Sequence, residues 1–306
     1  MTVSPIVHRL ASAMLVLATG AAGAAAPALK ELPPKPSVAD VVKASKPGDW
    51  RPLDPDNTLY MDLPTGRVVI ELAPAFAPAT AANIRALVRE QYFDGLAIIR
   101  SQDGFVVQWG DANEEQPRAY KAAKTVKAEF TAPMKSAGAF TPLKDGDVYA
   151  PEVGHAGGFP AARDPKSGQA WLVHCYAMIG VARGNEADSG NGSQLYVVTG
   201  HSPRQLDRNI TVVGRVVSGM PLLSAQPRGL GAAGFYEKPE QRMPIKQVRL
   251  AADLPEAERS RFEVMRTDSA TYQAVVEAQR NRGGPWNKVA TGKIDLCNAP
   301  IPVRER

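Results

Sequence analysis

The chain has 306 residues, 44% of them hydrophobic, enough for one or two domains with a real core. Its 26 prolines and 26 glycines place much of it in loops. The net charge of +5 comes without any dense Lys/Arg block interleaved with aromatics. A nucleic-acid partner therefore has no support, and the charge reads as scattered and solvated.

MTVSPIVHRL opens the chain with a short cationic region carrying Arg9, and ASAMLVLATGAAGAAA follows as an uncharged apolar run ending in small residues. That is the pattern of a secretory signal peptide over residues 1–25, with cleavage expected near Ala24 or Ala25. A membrane anchor is the rival reading, but the strongly apolar part is short and its alanine-glycine tail is weakly hydrophobic. No later stretch is long and apolar enough to span a bilayer, so the mature chain is expected to be soluble, in the periplasm or secreted. Residues 26–57, rich in proline and charge, read as an extended linker or surface wrap.

Regular structure is expected from LYMDLPTGRVVIEL, where two partly alternating runs flank Pro64-Thr65-Gly66 as a hairpin. In PATAANIRALVRE, Ile84, Leu87 and Val88 fall at helical spacing, with Pro78 in the helix-start region. Two strands follow, Leu96 to Arg100 and Phe105 to Trp109. Between Ala112 and Ala170 the pattern loosens: EEQPRAYKAAKTVKAEF reads as partly helical and PEVGHAGGFPAARDPKSGQ as loop. Strand-like runs return at YAMIGVA, QLYVVTG, ITVVGRVV and IKQVRLAA. Near the end, PEAERSRFEVMRTDSATYQAVVEAQRNR reads as one or two helices. Many short strands, few helices and frequent turns argue for a closed or sandwiched β architecture.

Candidate chemistry is sparse. His8, His155, His174 and His201 show no HExxH spacing and there is no CxxC, so no metal is expected. GxSxG is absent, which leaves no recognisable serine nucleophile. Gly229, Gly231 and Gly234 spell GxGxxG, but Pro227-Arg228 precede and FYEKPE follows, where a dinucleotide site needs a strand and a helix. The segment reads instead as a flexible loop. Cys175 and Cys297 are the only cysteines. Export favours a bridge between them that clips the C-terminal tail to the main domain, with two unpaired thiols as the alternative. What remains is a pair of glutamines inside apolar strands, Gln108 in GFVVQWGD and Gln194 in NGSQLYVV, with Arg100 four positions before Gly104. A buried amide must be hydrogen-bonded or it costs stability, so each either holds a loop backbone or serves a site.

These two stretches resemble the conserved halves of the cyclophilin-type peptidyl-prolyl isomerases. That family shows an arginine four residues ahead of G-F-x-x-Q-G-G-D and, later, N-G-S-Q-F-F. NIRAL in the first helix, YFDGL before the arginine strand and LDRNITVVGRVVSGM, similar to the family's L-D-G-K-H-x-V-F-G-x-V-x-x-G-M, extend the likeness. It covers about residues 58–253, interrupted by an insertion at about 112–170 and followed by an extension at 254–306.

The resemblance implies a mainly β protein: a closed eight-stranded antiparallel β-barrel with two flanking helices, a long loop insertion and a C-terminal helical extension. It implies an enzyme that acts, with no cofactor, on X-Pro segments of unfolded or exported proteins. Carried over one residue at a time, Arg100 matches the catalytic arginine, and Gln108 a glutamine that orients the arginine or the rotating carbonyl. Phe105, Val106, Ala182, Gln194, Tyr196 and Leu206 match substrate-binding positions, with Val106 where methionine is usual and Tyr196 where phenylalanine is. Two positions depart: Ile210 stands in place of a histidine, and Gln205 in place of a tryptophan that Trp171 is a candidate to replace by folding back. Two rival readings remain. One is a proline-peptide-binding or chaperone-like module of the cell envelope with a decayed rate. The other is an envelope interaction protein working through its insertion and C-terminal helices.

Overall fold

The computed structural model describes residues 31–113 and 115–306, so the expected signal peptide at 1–25 lies outside the described residues. Ser37 caps helix α1 (Val38–Lys43): its hydroxyl accepts from the Asp40 N–H while the Asp40 carboxylate accepts from the Ser37 N–H. Strand β1 (Trp50–Pro52) follows, so part of the segment expected as a linker is held in a sheet. Strands β2 (Thr58–Leu63) and β3 (Gly66–Leu72) form the hairpin expected around Pro64-Thr65-Gly66. Helix α2 (Pro78–Arg89) opens on proline, which lacks the N–H that a first turn leaves unused. It buries Ala81, Ile84, Leu87 and Val88, one helical face. Strands β4 (Ala97–Ser101) and β5 (Val106–Gly110) then pair antiparallel.

The insertion differs from the expected loop. Strands β6 (Ala132–Pro133), β7 (Phe140–Pro142), β8 (Glu152–Ala156), β9 (Phe159–Asp164) and β10 (Gln169–Leu172) make a five-stranded antiparallel sheet in the order β6-β10-β9-β8-β7. Residues 115–130, expected as partly helical, contain no helix. The β8–β9 hairpin is alanine- and glycine-rich, with little intrinsic preference for strand, so burial makes it one. Ala156, Ala161 and Ala162 are fully buried, and a Cβ on Gly154 would lie 2.1 Å from the Thr141 carbonyl oxygen.

Strands β11 (Met178–Val181), β12 (Leu195–Val198) and β13 (Val212–Ser218), helix α3 (Met220–Ser224) and strand β14 (Gln247–Leu250) complete a second, curled sheet. Its eight antiparallel strands run β14-β2-β3-β13-β11-β12-β5-β4, around a core that includes Leu59, Met61, Ile70, Trp109, Ile179 and Val197. The expected closed barrel is corrected here: edge strands β14 and β4 do not pair as a ladder. The segment before β14 reaches across instead, with the Ile245 N–H donating to the Leu96 carbonyl at 2.7 Å and the Ile98 N–H to Met243 at 2.9 Å. Pro244 sits between them opposite Ala97, and without an N–H it cannot continue the pairing.

The extension at 254–306 is mixed rather than helical. Strand β15 (Phe262–Met265) lies between β1 and strand β16 (Val303–Glu305), and helix α4 (Ala270–Arg280) connects the two parts of the tail. A second core joins the N-terminal segment, the insertion and the tail through Trp50, Val153, Trp171, Met265, Tyr272, Val275, Val276 and Leu296. The Cys175 and Cys297 sulfurs are bonded at 2.04 Å across 122 residues, fastening the tail at this core.

His155 is buried in the same region with its Nε2 3.0 Å from the Tyr272 hydroxyl. Burial, with the Arg215 charge adding to it, pushes its pKa from 6.5 down to about 3. Between those values the unfolded chain holds a proton that the folded one refuses. The stabilisation is therefore complete above about pH 6.5 and is lost toward pH 3, by up to about 1.4 kcal/mol per pH unit. Urea midpoints between pH 7 and 5 are expected to fall on acidification, and to fall less steeply in His155→Gln.

Candidate active site on the curled sheet

Register assembles the site. Across one row of the sheet, Arg100 on β4 faces Gln108 on β5, Gln108 faces Tyr196 on β12, and Tyr196 faces Gly180 on β11. Directly opposed residues share a face. That face is opposite the main core, because Val107, Trp109 and Val197 point inward while Val106, Tyr196 and Val198 form a separate small apolar cluster. A bulge between Ile98 and Arg100 sets the arginine on this side. In unbroken alternation with buried Ile98, residue 100 would point into the core; the extra residue re-aims it.

Arg100 is held by three partners. Its Nε donates to the Ala233 carbonyl at 2.7 Å, one Nη to the Gln108 side chain at 3.1 Å, and the other Nη to Gln102. Its guanidinium carbon also lies 5.6 Å from the Phe105 ring centre and 5.2 Å from that of Phe235. A guanidinium has five N–H donors, so about two remain for a ligand. Burial lowers its pKa below the usual arginine value, yet an arginine keeps its charge at any physiological pH. Gln108 uses both ends of its amide, accepting from Arg100 and donating to Gln194 at 2.8 Å, while Gln194 donates to the Asp111 carbonyl at 2.9 Å. Gln108, buried in β5, and Gln194, half-buried just before β12, are thus links in one chain that fixes the arginine.

The cavity is about 590 Å³ and is lined by Arg100, Phe105, Val106, Gln108, Ala182, Gln194, Tyr196 and Leu206, all eight residues singled out from the sequence. Ile210 lines it too, an apolar side chain in the place of a polar ring. Gln205 is exposed on the neighbouring turn and does not line it. Trp171 does not fold back to the rim: it is buried in the second core with Arg208 over its ring at 4.8 Å. Tyr196 fits where phenylalanine is usual because residue 180 is glycine; a Cβ there would lie 2.2 Å from the tyrosine oxygen.

Phe235 was missed from the sequence, together with the role of the glycine-rich loop before it. That loop is not loose. The Gly229 N–H donates to the Ser101 carbonyl at 2.9 Å, and the Gly231 N–H to Phe235 at 3.1 Å. Ala233 takes a φ of 52°, a left-handed conformation uncommon for a residue with a Cβ, and in that conformation it offers its carbonyl to Arg100. The only sequence signal was the glycine spacing itself.

The family described as "Cyclophilin type peptidyl-prolyl cis-trans isomerase/CLD" matches residues 58–250, more than half of the chain, and the chain belongs to this family. Its activity is that of a peptidyl-prolyl cis-trans isomerase. The chain is 29% identical over 192 residues to a probable peptidyl-prolyl cis-trans isomerase of Brucella suis, covering 61% of this chain and 81% of that one. It is 27% identical over 188 residues to a putative thylakoid lumen peptidyl-prolyl cis-trans isomerase of Synechocystis, covering 56% of this chain and 44% of that one. Among solved structures it is similar to the cyclophilin AquaCyp293 from Hirschia baltica, with a TM-score of 0.67 at 25% identity over 87% of this chain and 96% of that one. That coverage extends beyond the matched family region, into the segments that build the second core.

Proposed function

We propose that this isomerase is exported and assists the folding of proline-containing proteins. Arg100 acts as the catalytic group and Gln108 fixes it. Phe105, Val106, Ala182, Gln194, Tyr196 and Leu206 receive the prolyl segment. The observation that carries this reading is a guanidinium with unused donors held at the edge of an apolar socket.

Amide resonance sets a rotation barrier of about 18–20 kcal/mol. No covalent bond is made or broken, so the enzyme need only bind the twisted amide more tightly than either planar form. In the twisted state the prolyl nitrogen regains a lone pair, and Arg100 donates a hydrogen bond to it. Neither planar ground state offers that acceptor, so the bond contributes only where the barrier lies. Phe105, Val106 and Leu206 grip the ring meanwhile.

Export is supported by the cationic-then-apolar N-terminal sequence and by the bond between the only two cysteines, which suits an oxidising compartment. A relative named for the thylakoid lumen agrees with it. Among the described residues no helix is long and apolar enough to cross a membrane. The test is isomerisation of a short Ala-Pro peptide by the protein without residues 1–25. Spontaneous exchange takes tens to hundreds of seconds, and the protein is expected to shorten it at catalytic concentration. Exchange no faster than in the free peptide, with the peptide still bound, would leave a proline-peptide-binding module in its place.

A further inference from the structure

Tyr196 brings a hydroxyl to the wall of an apolar socket, and four buried side chains deal with it. Its oxygen lies 2.9 Å from His174 Nε2. His174 Nδ1 lies 2.9 Å from Asp207 Oδ1, Asp207 Oδ2 accepts from Arg204 Nε at 2.6 Å, and the Arg204 Nη atoms donate to both Asp147 oxygens at 2.8 and 2.9 Å. His174 is fully buried and lies outside the cavity lining, and Arg204 and Asp207 are also buried. Asp147 belongs to the insertion and sits in a separate cleft of about 770 Å³.

The direction of each bond follows from chemistry. Asp207, facing both His174 and Arg204, accepts, so Nδ1 of the imidazole carries its hydrogen and Nε2 is left with a lone pair. Burial and the nearby Asp207 charge raise the Tyr196 pKa well above its usual value, so the hydroxyl keeps its proton and donates a hydrogen bond to the Nε2 lone pair. The tyrosine oxygen is thereby held over Gly180 and toward His174, while Tyr196 lines the cavity.

We propose that His174 is a positioning residue for the isomerisation: it keeps Tyr196 apolar toward the prolyl ring, and the buried chain to Asp147 makes the docked insertion part of that pocket. This rests on the reading of the cavity as the prolyl site. Without His174 the tyrosine hydroxyl loses its buried partner and turns to the nearest alternative, water in the cavity, where it competes with the substrate ring.

Steady-state kinetics on an Ala-Pro peptide test this, with the disulfide-bonded protein. His174→Leu is expected to raise KM about tenfold, in keeping with a buried hydroxyl left unpaired. The change in kcat should stay within about twofold, since Arg100 is untouched. Adding Tyr196→Phe removes the stranded hydroxyl and is expected to bring KM back to within about threefold of native, because replacing both partners by apolar groups is nearly neutral. His174→Asn, too short to reach the tyrosine oxygen, repeats the test should the leucine variant not fold, with the same expected rise in KM. A folded variant at residue 174 with native KM, or a raised KM that Tyr196→Phe leaves in place, would overturn the proposal. A native protein that does not accelerate exchange would instead refute the assignment of the cavity.

Discussion

Removing residues 254–306 is expected to leave little or no soluble, folded protein. The tail supplies Val264, Met265, Tyr272, Val275, Val276 and Leu296, all buried to within a few per cent. At about 1.5–3 kcal/mol for each large apolar side chain, their loss forfeits on the order of 10 kcal/mol. The net stability of a domain is only about 5–15 kcal/mol. Deletion also strips β1 of its partner and opens the bond that closes the 122-residue segment between Cys175 and Cys297. Trp50 on β1 and Trp171 on the five-stranded sheet would then be exposed, which invites aggregation. Soluble yield and the thermal transition of the truncated chain read the outcome. A soluble truncation with a native melting temperature would mean the tail is an appendage, as the envelope-interaction reading requires.

What the sequence disclosed and what it concealed divide along one physical line. Local signals carried well: Pro64-Thr65-Gly66 turned, and the spacing of Ile84, Leu87 and Val88 buried one face of α2. The site was legible because six of its eight residues lie in two short stretches that pair strand to strand, so motif order and spatial order coincide. Non-local pairing was not legible. FEVM lies in a helix-like stretch, and its partner β1 is about two hundred residues away, so nothing near it announces a strand. Likewise the alanines of β8 and β9 become strand by burial against other layers, which periodicity cannot register. The bulge before Arg100 and the carbonyl of Ala233 are backbone events. They decide where the arginine points, and no residue type reports them.

Arg100→Ala tests the central claim, that a fixed guanidinium at this cavity drives rotation about the prolyl bond. The side chain is half-buried and its acceptors, the Ala233 carbonyl and the Gln108 and Gln102 amides, can turn to water, so the variant is expected to fold and still bind peptide. What it loses is the donor that acts only in the twisted state. Removing one such preorganised donor costs a factor of about 10²–10³. Arg100→Lys keeps the charge but not the rigid fork, and is expected to recover only part of the rate. The decisive measurement is kcat/KM for an Ala-Pro peptide, with binding measured beside it, in the native protein and in Arg100→Ala. A fall of about 10²–10³ with binding retained is the predicted result. A folded Arg100→Ala that isomerises the peptide at the native rate would contradict it.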